Sequence, residues 1–167
     1  MDILDSLRAA LGPANVLTGA DTAPYATDWT GKYASAPRAV LRPGTTAEVA
    51  EVLRLADATK TPVVPVSGNT GLSGGTAADG ALMLSLERMA RIEEIRPDAR
   101  LAIVEAGVIL SDLHEAAADH GLAFPVTFGA RGSARIGGNV ATNAGGSNVL
   151  RYGNARALCL GVEAVLP

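Results

Sequence analysis

Glycine is concentrated in two short stretches, and this distribution limits the folds open to the chain more than any other feature. Twelve of the 19 glycines in the 167 residues lie within residues 68–80 and 121–146. Both stretches mix glycine with asparagine, threonine and leucine, and apolar segments flank both. Glycine and asparagine tolerate left-handed backbone conformations that other residues avoid. The pattern therefore indicates two shaped loops rather than flexible linkers.

The composition fits a globular protein with one domain of ordinary size or two small lobes. Hydrophobic residues make up 48% of the chain, and the net charge is −3 with no block of like charge. Because nucleic-acid-binding domains usually carry a basic face, we expect no nucleic-acid partner. The N-terminus has early carboxylates and no long apolar run, so we expect no signal peptide, no membrane span and a cytoplasmic location.

Apolar spacing and turn residues give a coarse order of elements. Helices are predicted at residues 2–11, 45–60 and 112–120, and strands at 39–43, 63–66, 81–86, 101–106 and 158–166. The early strand–helix–strand order predicts a small parallel sheet, and the closer spacing of later strands predicts an antiparallel second lobe. The fold class is therefore α+β, divided into an N-terminal helix and arm (1–38), a first lobe (39–97) and a second lobe (98–167). Because the chain stops inside its last predicted strand, we expect it to be the front portion of a longer protein.

The first glycine loop, residues 65–76, has the composition of an anion-binding nest. Consecutive backbone N–H groups can converge on an anion where right- and left-handed residues alternate. No lysine or arginine lies between Thr61 and Glu87, which excludes a Gly-Lys-Ser/Thr phosphate loop. The spacing Gly68, Gly71 and Gly74 also differs from the Rossmann fingerprint. A tight turn that needs positive φ remains the alternative.

The second stretch, residues 128–146, contains the glycine pairs 137–138 and 145–146. Paired glycines let another chain or a flat ligand approach the backbone closely. Asn139, Thr142 and Asn143 add short hydrogen-bonding side chains. A bend in a glycine-rich meander is the alternative, but two such loops about 70 residues apart favour one dinucleotide held between two lobes.

Residues 67–75 and 136–146, followed by Arg151–Gly153, closely resemble the FAD-binding (PCMH-type) domain of vanillyl-alcohol-oxidase-type flavoproteins, the FAD-linked oxidase family. The branch that is most similar is that of the D-2-hydroxyglutarate and D-lactate dehydrogenases. Residues 28–33, 42–49 and 160–166 are also similar to that branch. The resemblance covers about residues 20–166.

The resemblance implies a two-lobed fold with FAD bound non-covalently between the lobes. It implies that the FAD pyrophosphate is held by Ser67, Gly68, Asn69, Thr70, Gly71, Leu72, Gly75 and Thr76. It implies that the ribityl chain and isoalloxazine are lined by Phe128, Ser133, Gly137, Gly138, Asn139, Thr142 and Gly146. Val162 would meet the adenine through its backbone. The sequence departs from the family at Thr127, where an aspartate is common, and at Ala134 and Arg135, where cysteine and histidine are common.

The activity that the resemblance implies is that of a flavin-dependent D-2-hydroxy-acid dehydrogenase, which oxidises the 2-hydroxyl to a 2-oxo acid by hydride transfer to flavin N5. In the family a following substrate domain supplies the metal-binding histidines, the substrate arginine and the catalytic base. We therefore expect no catalytic residue in this chain, and a small 2-hydroxy acid as the partner of that further domain. An FAD-dependent oxidase of another substrate class and a non-catalytic flavin-binding subunit are the alternatives. An unpaired terminal strand would also favour a homodimer.

The remaining reactive side chains carry weak signals. His114 and His120 are six residues apart, about 240° around a helix, so they do not converge on one metal ion. The single cysteine, Cys159, excludes a disulfide framework or a cysteine-based zinc site, and we expect it to be buried in the last strand. We expect no metal site in this chain.

Overall fold

The computed structural model describes residues 2–166, which fall into two compact units. The first comprises residues 2–88 together with 164–166, and the second comprises residues 89–163. The predicted lobe boundary at 97/98 falls inside a β-hairpin of the second unit, so the division in the structure comes earlier along the chain. None of the helices in residues 2–166 has the length and apolar composition that crossing a membrane requires.

The first unit begins with helix α1 (Ile3–Leu11), which confirms the predicted helix at residues 2–11. The side chain of Asp2 accepts the N–H of Leu4 at 3.4 Å and so caps the first turn. Gly12, at φ +79°, ends the helix. Ile3, Leu7 and Leu11 are buried, as their helical spacing predicts.

A four-stranded sheet forms the centre of the first unit in the described residues. Its strands are β1 (Val16–Leu17), β2 (Ala39–Leu41), β3 (Val63–Val66) and β4 (Leu82–Ser85), in the order β1-β2-β4-β3. β4 is parallel to both β2 and β3, and β1 is antiparallel to β2, which confirms the predicted parallel sheet. The strands β2 and β4 are buried along their whole length, as continuous apolar runs in parallel sheets usually are.

Helix α2 (Thr46–Ala58) connects β2 to β3 and begins with a reciprocal cap. The hydroxyl of Thr45 accepts the N–H of Glu48 at 3.1 Å, and the Glu48 carboxylate accepts the N–H of Gly44 at 2.6 Å. These two bonds satisfy donors that the helix itself cannot pair. The helix ends two residues before the predicted end at Lys60.

Short 3₁₀ helices at Pro13–Asn15 and Gly19–Tyr25 occupy the segment around β1. The second of them lies in the part that the sequence predicted to be an irregular arm. It is tied to the sheet by the hydroxyl of Tyr25, which donates to the Glu87 carboxylate at 2.8 Å. Burial and then the hydrogen bond to Glu87 raise the pKa of Tyr25, so the phenol keeps the proton that this bond needs.

The second unit begins with an antiparallel hairpin of β5 (Ile92–Arg96) and β6 (Leu101–Val104). The antiparallel pairing confirms the predicted arrangement of this lobe, and β6 confirms the predicted strand at 101–106. The sequence did not predict β5, because its central Glu93 and Glu94 are exposed and hide the apolar alternation.

Helices and a 3₁₀ turn make up the rest of the second unit, namely α3 (Leu110–Ala118), α4 (Ile136–Ala141), α5 (Val149–Tyr152) and the 3₁₀ helix Ala155–Leu158. Their core contains Leu110, Val126 and Ala155, against which Phe124 and Phe128 pack. Helix α3 confirms the helix predicted at 112–120. Helix α4 corrects the prediction of a shaped loop through Gly137 and Gly138.

The strand predicted at residues 158–166 is not formed, and this prediction is wrong. A strand requires a neighbour for its backbone hydrogen bonds, and no strand among residues 2–166 pairs with this segment. Leu160, Val162 and Leu166 are exposed. Cys159 is therefore not in a buried strand; it is half-buried, and its thiol donates to the Gly161 carbonyl at 3.2 Å.

The core of the second unit provides a matched test of stability. Leu110 is fully buried, whereas Leu150 is 100% exposed. We expect Leu110→Ala to lower the free energy of unfolding by about 2–5 kcal/mol, because the truncation leaves a cavity. Leu150→Ala should change it by less than about 0.5 kcal/mol. Urea unfolding followed by circular dichroism measures both, and equal losses would contradict this packing.

Candidate functional site

The first glycine loop follows the carboxyl end of β3 and leaves its backbone donors unused. Nine consecutive N–H groups, those of residues 68–76, donate no hydrogen bond to any group within residues 2–166. Residues 71–73 at the tip are exposed. Asn69 (φ +49°) and Gly74 (φ +68°) adopt left-handed conformations, which are a feature of the backbone of anion-binding nests. The loop therefore has the donors of an anion-binding nest and no basic side chain.

Asn69 holds this loop in place with both ends of its side-chain amide. Its Nδ2 donates to the Thr27 carbonyl at 3.0 Å, and its Oδ1 accepts the hydroxyl of Thr76 at 2.8 Å. The bond to Thr76 closes the loop across seven residues, and the bond to Thr27 joins it to the preceding arm. Since the amide is used within the protein, Asn69 can offer a ligand its backbone N–H.

The arm at residues 26–35 packs against the same loop. A Cβ atom at Gly74 would lie 2.7 Å from the ring of Tyr33, so the contact requires glycine there. The arm is itself fixed by the buried carboxylate of Asp28, which accepts the Thr30 hydroxyl at 2.7 Å and the Tyr33 N–H at 3.2 Å. Burial acts to raise the pKa of Asp28, but these hydrogen bonds outweigh it and lower the pKa below its ordinary value. The sequence did not connect the arm with the loop, and the one signal was the acidic–aromatic motif at 28–33.

In the second unit, α4 packs its N-terminal glycine directly against another backbone segment. Gly137 donates its N–H to the Ala106 carbonyl at 2.8 Å. A Cβ at Gly137 would lie 2.7 Å from the Cβ of Ala106. The absence of a side chain at 137 is therefore explained by packing within the unit.

A second close approach joins the two ends of the second glycine stretch. Gly146 has φ +129°, and a Cβ there would overlap the Thr127 carbonyl oxygen. The N–H of Ser147 donates to the same oxygen at 3.0 Å. These contacts hold Gly146 against the backbone of Thr127, the residue before Phe128.

Asn139 lies on α4 with an unpaired donor. The residue is 5% exposed, and its Nδ2 has no hydrogen-bond partner within residues 2–166. An unsatisfied buried donor costs about 1–3 kcal/mol, so native proteins seldom leave one without a reason. Asn139 is therefore the strongest side-chain candidate for a cofactor contact in this unit.

The other predicted residues of the second unit described next have no buried side-chain donor that, like that of Asn139, lacks a partner within residues 2–166. The hydroxyl of Thr142 donates to the Gly138 carbonyl at 2.8 Å, which closes the end of α4. Ser133 is exposed, and Val162 is 77% exposed in the irregular segment 159–166. The residues predicted for the pyrophosphate all belong to the first unit, and those predicted for the flavin and the adenine all belong to the second.

His114 contacts a backbone carbonyl in the second unit. Nε2 of His114 lies 2.8 Å from the Val126 carbonyl, and the ring lines an open cavity of about 260 Å³ with Phe124 and Thr127. Among residues 2–166, no group of three or more histidine, cysteine, aspartate or glutamate side chains is arranged to hold a metal ion.

Comparison with known protein families identifies the arrangement. The family model described as "FAD binding domain" matches residues 37–167. The chain belongs to this FAD-binding family. The cofactor of the family, FAD, agrees with a loop of unpaired backbone donors in one unit and a buried unpaired amide in the other.

The chain is also similar to proteins named as D-2-hydroxyglutarate dehydrogenase and D-lactate dehydrogenase. The chain is 48% identical over 147 residues to D-2-hydroxyglutarate dehydrogenase of Xanthomonas citri pv. viticola, covering 87% of this chain and 31% of that protein. It is 37% identical to a putative mitochondrial D-lactate dehydrogenase of Schizosaccharomyces pombe, covering 99% of this chain and 30% of that protein. The chain thus spans about a third of the length of the curated relatives that it matches.

Solved structures confirm the PCMH-type α+β fold. p-Cresol methylhydroxylase is 27% identical with a TM-score of 0.72, over 85% of this chain and 29% of that one. Alkyldihydroxyacetonephosphate synthase has a TM-score of 0.83 at 16% identity, over 95% of this chain and 31% of that one, and shows the fold alone.

The role of Asn69 can be measured as stability. Asn69→Ala removes both amide hydrogen bonds and places an unfavourable residue in a left-handed conformation, so we expect a loss of about 2 kcal/mol in the free energy of unfolding. Asn69→Gly keeps the backbone conformation available and should lose about half as much. Urea unfolding distinguishes the two variants, and wild-type stability in both would contradict the anchoring role.

Proposed function

We propose that this chain is the FAD-binding part of a flavin-dependent D-2-hydroxy-acid dehydrogenase, of the type that oxidises D-2-hydroxyglutarate or D-lactate to the 2-oxo acid. The observation that carries the cofactor role is the run of nine unpaired backbone N–H groups at residues 68–76. The substrate class is supported by the relatives, which are named for D-2-hydroxyglutarate and D-lactate.

In this proposal the first loop binds the FAD pyrophosphate through its backbone. Nest-type N–H groups stabilise a diphosphate without a basic side chain, in keeping with the lack of lysine and arginine at 62–86. Because the Asn69 amide and the Thr76 hydroxyl bond to each other, we expect these two residues to contribute main-chain contacts. The residues concerned are Ser67, Gly68, Asn69, Thr70, Gly71, Leu72, Gly75 and Thr76.

The second unit would hold the flavin end of FAD and the adenine. Nδ2 of Asn139 is the donor that a carbonyl or hydroxyl of the cofactor would satisfy. We propose that the surrounding contacts come from Phe128, Ser133, Gly137, Gly138, Thr142 and Gly146. Val162 would meet the adenine through backbone groups that no strand pairs.

FAD supplies the hydride acceptor when it is bound, and the chain supplies binding and orientation. We propose that the groups that bind the 2-hydroxy acid and take its proton lie outside these 167 residues. The length of the relatives, about three times that of this chain, supports this division.

Binding is proposed to be non-covalent, since the thiol of Cys159 is engaged with Gly161. A cytoplasmic location stays a prediction, since the S. pombe relative is named as mitochondrial.

An FAD-dependent oxidase of another substrate class is the second candidate. The chain departs from the family at Thr127, Ala134 and Arg135, and Arg135 donates to the Gly107 carbonyl at 2.5 Å beside α4. These departures lie in the stretch proposed to line the flavin, where they would change its surroundings.

The pyrophosphate loop is tested by adding a negative charge to it. Gly71 has open space around its Cβ position and an ordinary φ, so Gly71→Asp should fold normally. We expect at least about a tenfold loss of FAD affinity, because the new carboxylate repels the diphosphate. Visible absorption after FAD addition and desalting, together with titration, measures the effect. Ala47→Asp, an exposed position in the first turn of α2, is the charge-matched control and should bind FAD as the wild type does.

Wild-type protein that stays colourless after incubation with FAD would overturn the cofactor role. Equal affinities in Gly71→Asp and Ala47→Asp would overturn the placement of the pyrophosphate while leaving FAD binding intact.

The substrate class is tested with the intact protein, that is, this chain together with the part proposed to bind the substrate. D-2-hydroxyglutarate or D-lactate is added anaerobically to this protein loaded with FAD. We expect one of these acids to bleach the visible flavin bands, and its L-enantiomer to leave them unchanged. The 167-residue chain alone should show no bleaching, and steady flavin reduction in it would contradict the proposed division of labour. Rapid return of the bands on admission of oxygen would favour the oxidase.

A further inference from the structure

The C-terminus of α4 is held by one arginine from the following 3₁₀ helix. Nε of Arg156 donates to the Val140 carbonyl at 2.9 Å, and a terminal nitrogen donates to the Ala141 carbonyl at 2.5 Å. The last carbonyls of a helix lack intrahelical partners and form the negative end of its dipole. The planar fork of a guanidinium meets two such oxygens at once, which the single amine of lysine cannot do in the same way.

The backbone next to Arg156 strengthens the same junction. Asn143, at φ +54°, reverses the chain after α4, and its Oδ1 accepts the N–H of Arg156 at 3.1 Å. The N–H of Ala155 donates to the Ala144 carbonyl at 2.8 Å, and the N–H of Ala144 donates to the Asn139 carbonyl at 2.7 Å. This is the pattern of a Schellman end, with asparagine in the left-handed position. These hydrogen bonds connect the backbone around Arg156 to the Asn139 carbonyl through Ala144 and Ala155.

Helix α4 depends on such external contacts. It has six residues, of which Gly137 and Gly138 favour the helical state poorly. Its N-terminal end is fixed by the bond from Gly137 to Ala106, and its C-terminal end by Arg156. Asn139 lies between the two ends, so the direction of its unpaired Nδ2 is set by both.

We propose that Arg156 is a positioning residue that fixes α4 so that Asn139 meets the flavin half of FAD. The inference rests on the proposed function and extends it to a residue outside the loops that would contact the cofactor. The side-chain hydrogen bonds of Arg156 all end on α4, within the second unit. Its loss should therefore weaken recognition of the ribityl–isoalloxazine part of FAD and leave recognition of the ADP part unchanged.

The experiment compares FAD with ADP in the intact protein. Wild type, Arg156→Ala, Arg156→Lys and Arg151→Ala are titrated with each ligand, and the visible spectrum of bound FAD is recorded. In Arg156→Ala we expect about a tenfold loss of FAD affinity, the effect of one lost charge-assisted contact. We expect unchanged ADP affinity and a spectrum shifted toward that of free FAD. Arg156→Lys should lose less, because the amine keeps the charge and can reach one carbonyl.

Arg151→Ala is the matched control, since Arg151 lies on neighbouring α5 and contacts the ring of Tyr152, at 5.3 Å from its centroid. It should match the wild type with both ligands. Equal losses of FAD and ADP affinity in Arg156→Ala would indicate a general structural role and overturn the proposal. So would unchanged FAD affinity with an unchanged spectrum. If Arg156→Ala fails to fold, the same comparison in Arg156→Lys decides. Failure of the wild type to bind FAD would instead overturn the proposed function.

Discussion

The first glycine loop depends on the side-chain amide of Asn69, which bonds to Thr27 and Thr76 while the backbone N–H groups of residues 68–76 stay unpaired within residues 2–166. Free N–H groups normally find carbonyl partners in helices, sheets or turns. The N–H groups of residues 68–76 have no such partner in the part of the chain that the structure describes. The Asn69 amide bonds to Thr27 and to Thr76, and these two bonds restrict the conformations that the loop can adopt. The ring of Tyr33 packs against Gly74 and restricts the loop further. The parallel strand β3 gives the loop a fixed origin, since β3 is bonded to β4 along its whole length. Under the proposed function the loop would be held in shape before the diphosphate binds, which would lower the ordering cost of binding.

In the second unit, the predicted residues Gly137, Gly138 and Asn139 lie on the short helix α4. Its glycines permit close approach to other backbone segments, at Ala106 for Gly137 and at Thr127 for Gly146, so the stretch is a packed junction more than an open loop. A six-residue helix with two glycines is not stable by itself. Its ends are therefore bonded to the segments that precede and follow it, and the buried amide of Asn139 is held between these bonds.

Much of the fold follows from local sequence signals, and the errors have physical causes. Helix α1 and the strands β2, β3 and β4 were predictable, because apolar spacing, the glycine at residue 12 and the prolines at 43 and 62 mark them directly. Strand β5 was not, because its pairing with β6 outweighs two exposed glutamates. Helix α4 was not, because the contacts at its two ends come from Ala106 and Arg156, which are distant along the chain. Residues 158–166 carry strand-type side chains, but a strand needs a partner that local sequence does not supply. The glycines of the two loops are recognisable from their motifs, while the contacts of Thr27, Tyr33 and Arg156 are tertiary and are not specified by the local sequence.

The predicted cofactor-binding residues of the first unit and those of the second differ in their exposure to water, and under the proposed function this difference gives them different roles in binding. The tip of the first loop is exposed, so water satisfies its N–H groups in the absence of a ligand. Under the proposed function, binding a diphosphate there would exchange one set of hydrogen bonds for charge-assisted ones, and the gain would come from preorganisation and charge. Nδ2 of Asn139 is buried and has no partner in residues 2–166, so the second unit carries a penalty of about 1–3 kcal/mol until a ligand oxygen reaches it. In the proposed mode of binding, a ligand that ends at the diphosphate would leave that penalty in place, whereas one that carries a polar flavin edge would remove it. Under this proposal, discrimination between FAD and smaller adenine nucleotides rests on α4 and on the residues that hold it.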